Sequence, residues 1–348
     1  MTFDVSSFVN TWLCVSLLNW FLGRIVRGKD VYGHFRHTFL TFLFWMITLR
    51  LFLPANFIFG LPSPLLPYID WLNDLLVLPL FGTPLTFSGI LSYIWLFGAV
   101  YSLLQFYCRR NQQMEVAKGL MARSIKTTVR NLIPEYIGPD YVVCLSKDIE
   151  TPFVYGFSSN IMLPDKPYSK QTLYYILCHE TMHIYACDAS VRLLSEVLIR
   201  IYWWMPNLRS LSANVSSMVE LRNDGLLMDL FSKNDMIGYC EALLEVAHPS
   251  FNSRMTDLGF QDAYIGNKNM LYPPITSQEI AVDPAVADEA KSFEVLAFGE
   301  PNTDLKTRIL YNLSAHEHPR TKNIYFQIVL LLIIVSALCM GQQQFFLL

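Results

Sequence analysis

Four stretches of the chain run for 17 residues or more with almost no charged side chain, and polar positions cluster between them. A helix of about 20 apolar residues crosses the hydrocarbon core of a bilayer. We therefore predict four transmembrane helices, at about 5–23, 37–59, 86–108 and 324–340. A cleaved signal peptide is the alternative for the first stretch, but its basic residues follow the apolar run instead of preceding it.

The connection between the second and third stretches has its own pattern. Residues 61–85 contain five prolines and no Lys or Arg. We expect an extracellular loop with a short interfacial helix at 68–77. Arg50 is the one Lys, Arg, Asp or Glu inside the second stretch. A side chain that snorkels to the interface is the favoured interpretation, and a charge paired inside the bundle is the alternative.

Basic residues orient these helices, because Lys and Arg are enriched in cytoplasmic segments. Every basic flank lies on one side of the predicted membrane: Arg24, Arg27, Lys29 and Arg36, then Arg109 and Arg110, then Arg320 and Lys322. We therefore expect both termini outside and residues 109–323 in the cytoplasm.

Within residues 109–323, some segments have the apolar pattern of strands and others that of helices. This predicts an α+β domain inserted between helices three and four. We predict short strands at 141–146 and within 153–164, helices at 169–187, 190–204 and 211–231, and long loops over 248–304. Ser169 is the candidate N-cap of the first of these helices. Residues 110–131 read as a basic helix near the inner leaflet, or equally as an ordinary solvated helix face.

Composition agrees with a membrane protein that has a sizeable soluble part. The 348 residues are 53% hydrophobic and only 16% charged, whereas soluble domains have about 25% charged residues. Mean hydropathy is +0.31. The net charge of −3 gives no reason to expect direct nucleic-acid binding. The seven cysteines form no C-x-x-C pair, so we expect free thiols in a reducing compartment.

The candidate chemistry lies in the string His179-Glu180-Thr181-Met182-His183. Positions i and i+4 share one face of a helix, so His179 and His183 can bind one Zn²⁺. Glu180 is then placed to take a proton from a water that the ion acidifies. The alternative is a buried helix whose two histidines bond to neighbouring side chains. Without a partner, such polarity on an apolar helix would be costly.

A third ligand is required, and it should be an acid or a histidine on a later element. Glu220 fits, and Asp224 shares its helix face and can accept the free N–H of a ligating histidine. Asp188 either supports a histidine in the same way or caps the next helix. A donor to the transition state is also expected, and three residues are open for that role: Tyr202, Arg222 and His248.

Several other stretches extend the pattern beyond H-E-x-x-H. They are Thr151–Gly156 with Ile161–Pro164 (P-x-x-x-G-x-x-x-x-I-x-L-P), His179–Asp188 (H-E-x-x-H-x-x-x-x-D), Trp203–Pro206 (W-F-N-P, with Met205 in place of Asn), Glu220–Asp224 (E-x-x-x-D) and Lys306–Ile309. Together with the predicted span layout they resemble the BlaR/MecR-type membrane metallopeptidases, signal transducers related to the gluzincins.

The resemblance implies one Zn²⁺ per chain, held by His179, His183 and Glu220. It implies Glu180 as the general base and Asp224 as a support behind the ligands. It also implies a multi-pass protein of the bacterial plasma membrane. Antibiotic-sensing relatives continue into an extracellular penicillin-binding domain, and we expect this chain to lack that sensor.

The function we expect is a membrane-bound zinc endopeptidase in transmembrane signalling. Its substrate would be a cytoplasmic protein, for example a transcriptional repressor, or the chain itself within 277–300. Its partners would be that protein and membrane lipid, and a homo-oligomer stays open. One alternative is a housekeeping membrane metalloprotease of the CAAX-processing or heat-shock kind. Another is a metal-stabilised signalling scaffold without turnover, against which the intact Glu180 argues.

Overall fold

The computed structural model describes residues 5–27, 37–53, 66–79, 86–157, 159–247, 305, 308, 309 and 312. They belong to two compact units. Unit one holds the described residues of 1–108 and 192–218. Unit two holds those of 109–191 and 219–316.

Helices dominate the described residues, and four strands form one sheet. The α-helices are α1 (Val5–Arg27), α2 (His37–Phe52), α3 (Leu66–Val77), α4 (Phe87–Arg123), α5 (Val129–Leu132), α6 (Lys170–Tyr185), α7 (Asp188–Ile201), α8 (Leu211–Leu230) and α9 (Lys233–Ala247). The strands are β1 (Ile125–Thr128), β2 (Val142–Ser146), β3 (Phe153–Tyr155) and β4 (Asn160–Pro164). A 3₁₀ turn, Pro206–Ser210, precedes α8.

In unit one, α1 packs on α2, and their buried apolar side chains include Leu18, Leu22, Leu40, Leu43, Phe44 and Ile47. One side of α1 is polar. Asn19 donates to the carbonyl of Asn207 at 2.6 Å, and Asn214 donates to the side-chain oxygen of Asn19 at 2.8 Å. A buried amide is tolerated in a core when it is hydrogen-bonded. These two hydrogen bonds therefore hold the start of α8 against α1.

The structure supports the membrane prediction in part. Among the described residues, α4 is the one helix both long and apolar enough to cross a membrane, by length and composition alone. The α2 helix is apolar but has 16 residues. The predicted span at 324–340 and the loops over 248–304 lie outside the described residues. Arg50 is 3% exposed, which contradicts the snorkelling interpretation and favours a charge held inside the bundle.

The sheet of unit two has the strand order β1-β2-β4-β3. Strands β2 and β4 are central and parallel, and β1 and β3 pair antiparallel to them at the two edges. Alternating side chains point to opposite faces of a strand. Val143 and Leu145 therefore join the apolar face of α6, whereas Cys144 packs with Ala117 of α4 on the other face.

Helix α6 forms where the sequence predicts it. The hydroxyl of Ser169 accepts the backbone N–H of Thr172 at 3.0 Å, which satisfies one of the free donors at the helix start. Leu173, Ile176 and Leu177 face the sheet. The predicted strands and the helix at 211–231 are also confirmed, and the helix predicted at 190–204 runs from Asp188 to Ile201.

Two parts of unit two differ from the prediction. The basic helix predicted over 110–131 is wrong in its second half, because α4 ends at Arg123 and Ile125–Thr128 form β1. Two β-branched threonines and the pairing with β2 explain the change. The α9 helix was not predicted. It packs against α6 through Tyr239, Met236 and Ala242.

Candidate metal centre

Helix α6 brings two imidazoles together in unit two. His179 and His183 lie one turn apart, and their rings are nearly perpendicular, at 87°, with centroids 4.7 Å apart. The two Nε2 atoms face each other at 3.1 Å. The two histidines therefore lie on one face of α6, as their spacing of four residues predicts.

Helix α8 adds a carboxylate at the same point. Glu220 places Oε2 3.2 Å from Nε2 of His179, and Oε1 3.6 Å from Nε2 of His183. The donor atoms of the three residues all lie within 4.8 Å of one another, so the group could hold a metal ion.

Asp188, the first residue of α7, contacts the ring of His183 on the side away from Glu220, through Nδ1. That Nδ1 lies 2.6 Å from Oδ2 of Asp188. A carboxylate only accepts hydrogen bonds, so the contact with Asp188 needs the proton on Nδ1 and makes Nε2 available to a metal ion. Nδ2 of Asn223 also lies 2.8 Å from Nδ1. Asn223 donates to Oδ2 of Asp188 at 2.6 Å, and Arg222 forms an ion pair with the other oxygen. Asp188 thus both begins a helix and contacts a histidine.

The ring of His179 is held in a different way. Its Nδ1 is 3.5 Å from Oδ1 of Asp224, too far for a good hydrogen bond, but 2.8 Å from the hydroxyl of Tyr239. That hydroxyl is 2.5 Å from Oδ1 of Asp224. Since the carboxylate only accepts, Tyr239 donates to Asp224 and accepts from His179.

Arg308 joins this group from far along the chain. Its Nη1 lies 3.1 Å from Oε2 of Glu220, and its Nη2 lies 3.4 Å from Nε2 of His179. The same guanidinium donates to both oxygens of Asp224. Asn312 adds a longer contact to Asp224, at 3.4 Å.

These residues fit a divalent metal ion. Nε2 of His179, Nε2 of His183 and the carboxylate of Glu220 converge as electron-pair donors. A metal ion among all three would relieve their repulsion more fully than the guanidinium of Arg308, which contacts Glu220 and His179. Zinc ligands at 2.0–2.1 Å in tetrahedral array stand about 3.3–3.4 Å apart, and the distances observed are 3.1, 3.2 and 3.6 Å. The described residues here carry four carboxylates (Glu180, Asp188, Glu220 and Asp224) against two guanidinium groups (Arg222 and Arg308).

Burial and charge shift the pKa values of these acids in opposite directions. Burial raises the pKa of Glu180 above its usual range, because desolvation outweighs the nearby histidines. Burial acts on Glu220 in the same direction, but His183 and Arg308 outweigh it and hold that pKa well below its usual range. Arg308 likewise outweighs burial at Asp224 and lowers its pKa. A metal-binding carboxylate must be ionised, whereas a general base works best with a pKa near the operating pH.

Sequence reasoning proposed six residues for this centre, and the structure places all of them in unit two: His179, Glu180, His183, Asp188, Glu220 and Asp224. Tyr239 and Arg308 also contact this centre, but they were not predicted from the sequence. Of the three candidate transition-state donors, Arg222 pairs with Asp188 and Tyr202 donates to the carbonyl of Leu51 at 2.6 Å. His248 lies outside the described residues.

Unit two is an α+β unit with H-E-x-x-H on one helix and an acidic partner on a later one, the ligand pattern of zinc metallopeptidases. The chain matches the family model described as BlaR1 peptidase M56 over residues 82–261, a little over half of its length. It belongs to that family of membrane metallopeptidases, which confirms the resemblance seen in the sequence. No curated protein and no solved structure matches the chain.

Proposed function

We propose that this protein is a membrane-bound zinc endopeptidase of a transmembrane signalling system, and that it hydrolyses a peptide bond in a cytoplasmic protein. A transcriptional repressor and the chain itself are the candidate substrates. The observation that carries the proposal is the convergence of Nε2 of His179, Nε2 of His183 and the carboxylate of Glu220 beside the buried Glu180. Membership of the peptidase family supports it.

His179, His183 and Glu220 would hold the zinc ion. When bound, zinc supplies a Lewis acid that polarises a peptide carbonyl and acidifies a water. Glu180 follows His179 directly and is 6% exposed, so its carboxylate takes the water's proton in a site with little bulk solvent. Its pKa, raised by burial, favours that uptake and the later return of the proton to the leaving amine.

Strand β3 is the candidate guide for the substrate. It lies at the edge of the sheet, and it packs against α6, which carries both histidines. Among the described residues no further strand pairs with its outer side. An extended peptide can add to such an edge through backbone hydrogen bonds. A scissile bond aligned in this way would run beside the zinc-binding helix.

The proposed setting keeps the four-helix arrangement, with the peptidase unit in the cytoplasm. Exposed Cys187 lies in that unit. In a variant that keeps only this cysteine, a membrane-impermeant maleimide should label after the cells are opened. A matched variant with Ser63→Cys as its only cysteine, in the predicted outer loop, should label in intact cells. The reverse pattern would contradict the orientation.

Zinc content of the purified full-length protein tests the site. Wild type should hold about one zinc per chain. Glu220→Ala should lose it, and Glu180→Gln should keep it, because Glu180 takes part in proton transfer and not in binding.

Activity is tested by co-expression of each form with candidate repressors and mass mapping of the fragments. We expect a zinc-dependent cut with wild type and none with Glu180→Gln. Zinc binding without any cut in the repressors or in the chain would favour the scaffold, and a wild type free of zinc would end the proposal.

A further inference from the structure

The two histidines of the metal centre are supported by different chemistry. His183 bonds directly to a carboxylate, at 2.6 Å from Asp188. His179 has a carboxylate nearby, but Nδ1 and Oδ1 of Asp224 are 3.5 Å apart. The hydroxyl of Tyr239 fills that gap, 2.8 Å from the imidazole and 2.5 Å from the carboxylate.

Donors and acceptors alternate along this chain of groups, and Arg308 also donates to the hydroxyl of Tyr239 at 3.3 Å. Arg308 donates from Nε and Nη2 to the two oxygens of Asp224, both at 2.8 Å, which keeps that carboxylate ionised. Tyr239 can therefore only donate to Asp224. Its oxygen then accepts the Nδ1 proton of His179, and this is the tautomer whose Nε2 can bind a metal ion.

Packing holds the phenol in this place. The ring of Tyr239 is 1% exposed and contacts Phe231 with centroids 6.0 Å apart and Tyr175 with centroids 6.3 Å apart. Both contacts are made by the ring and not by the hydroxyl. The hydroxyl therefore has a separate task, which a change to phenylalanine removes while the ring packing stays.

We propose that Tyr239 is a positioning residue of the metal centre. Its hydroxyl accepts the Nδ1 proton of His179 and donates to Asp224, and these two hydrogen bonds set the tautomer and the orientation of the His179 ring. The inference rests on the proposed zinc site and adds a residue that the H-E-x-x-H and E-x-x-x-D patterns do not contain. A neutral phenol donates less electron density to an imidazole than a carboxylate does. His179 and His183 are therefore unequal ligands.

The test is zinc affinity of the full-length protein in detergent, measured by competition with a chromophoric chelator. Tyr239→Phe should bind zinc about 10–100-fold more weakly, the usual effect of removing such a support. Tyr175→Phe is the matched control. Tyr175 is buried in the same cluster, but its hydroxyl contacts Gln171 and Asp235. The zinc affinity of Tyr175→Phe should stay within about twofold of wild type. That change is much smaller than the loss expected when a residue that hydrogen-bonds a metal ligand is removed.

Two further measurements separate positioning from general damage. Both metal-free variants should still unfold cooperatively, with Tyr239→Phe at the lower melting temperature, because its hydroxyl donates to the buried Asp224 and that of Tyr175 donates to the partly exposed Asp235. The absorption spectrum of bound Co²⁺ should change in Tyr239→Phe and not in Tyr175→Phe. If Tyr239→Phe fails to fold, 3-fluorotyrosine at 239 keeps the ring but makes its oxygen a poorer acceptor, and it should weaken zinc binding severalfold.

Unchanged zinc affinity in Tyr239→Phe would overturn the inference while leaving the zinc site intact. Equal losses in both variants would overturn it as well, since packing alone would then explain them. A wild type that binds no zinc would instead remove the proposed function on which the inference rests.

Discussion

Arg308 binds the carboxylate of Asp224 through two nitrogens, Nε and Nη2, each 2.8 Å from an oxygen. Neither oxygen of Asp224 is exposed to solvent, and the aspartate is 0% exposed. We predict that Arg308→Gln lowers the stability of the metal-free protein by about 3–5 kcal/mol, because it leaves a buried charge without its partner. Thermal or denaturant unfolding in detergent measures the change.

Arg130→Gln is the control for that substitution. Arg130 is exposed, and its guanidinium contacts the carbonyl of Gly138. Its loss should change stability by no more than about 0.5 kcal/mol. If both variants lost the same free energy of unfolding, the pairing of Arg308 with Asp224 would contribute no more to stability than an exposed contact does.

Asp188→Asn should weaken zinc binding. The amide that replaces the carboxylate is neutral, so it accepts the Nδ1 proton of His183 less strongly and no longer pairs with Arg222. We expect about 10–100-fold lower affinity, measured by chelator competition. Asp140→Asn changes an exposed acid that bonds to the backbone of Arg130, and it should have no effect. Unchanged affinity in Asp188→Asn would argue that Asp188 serves α7 alone.

Metal removal should destabilise the protein. An ion that binds only the folded state adds stability according to its concentration, about 2.7 kcal/mol at 100 times Kd. Dialysis against a chelator should therefore lower the melting temperature of wild type, and added zinc should restore it. His183→Gln should show no such zinc-dependent rise. If wild type and His183→Gln respond alike, zinc stabilises the protein at some other place.

Two cysteines of unit two should differ sharply in reactivity. Burial raises the pKa of Cys240 to about 11, and the thiolate is the reactive form. At pH 8 roughly one molecule in a thousand then carries the thiolate at this position. Iodoacetamide should modify exposed Cys187 well before Cys240 in the folded protein, and both at similar rates in denaturant. Rapid modification of Cys240 would contradict the packing of α9, the helix that carries Tyr239.

The sequence predicted the part of the centre that lies on regular spacing. His179 and His183 are one helical turn apart, and Glu220 and Asp224 repeat that spacing, so one periodicity reveals all four. Ser169 marks the start of α6 by the same kind of local rule. These features depend on residues close together in the chain, and local sequence is sufficient to predict them.

Long-range features were missed for a physical reason. Tyr239 is one aromatic residue among the apolar positions of α9, and its spacing to His179 has no fixed pattern. Arg308 follows Asp224 by 84 residues, and it lies outside the matched region 82–261. The β1 strand appears where a helix was predicted, because its pairing with β2 is decided by the folded sheet.

The uneven charge of the metal centre has a consequence for how the protein acquires its ion. Four carboxylates and two guanidinium groups leave two negative charges uncompensated among the described residues. Burial raises the pKa of Glu180, so before a metal arrives a proton on that carboxyl supplies part of the missing positive charge. Zinc uptake therefore exchanges one kind of cation for another, and loading should acidify a weakly buffered solution. The heat of zinc binding should accordingly depend on the ionisation enthalpy of the buffer.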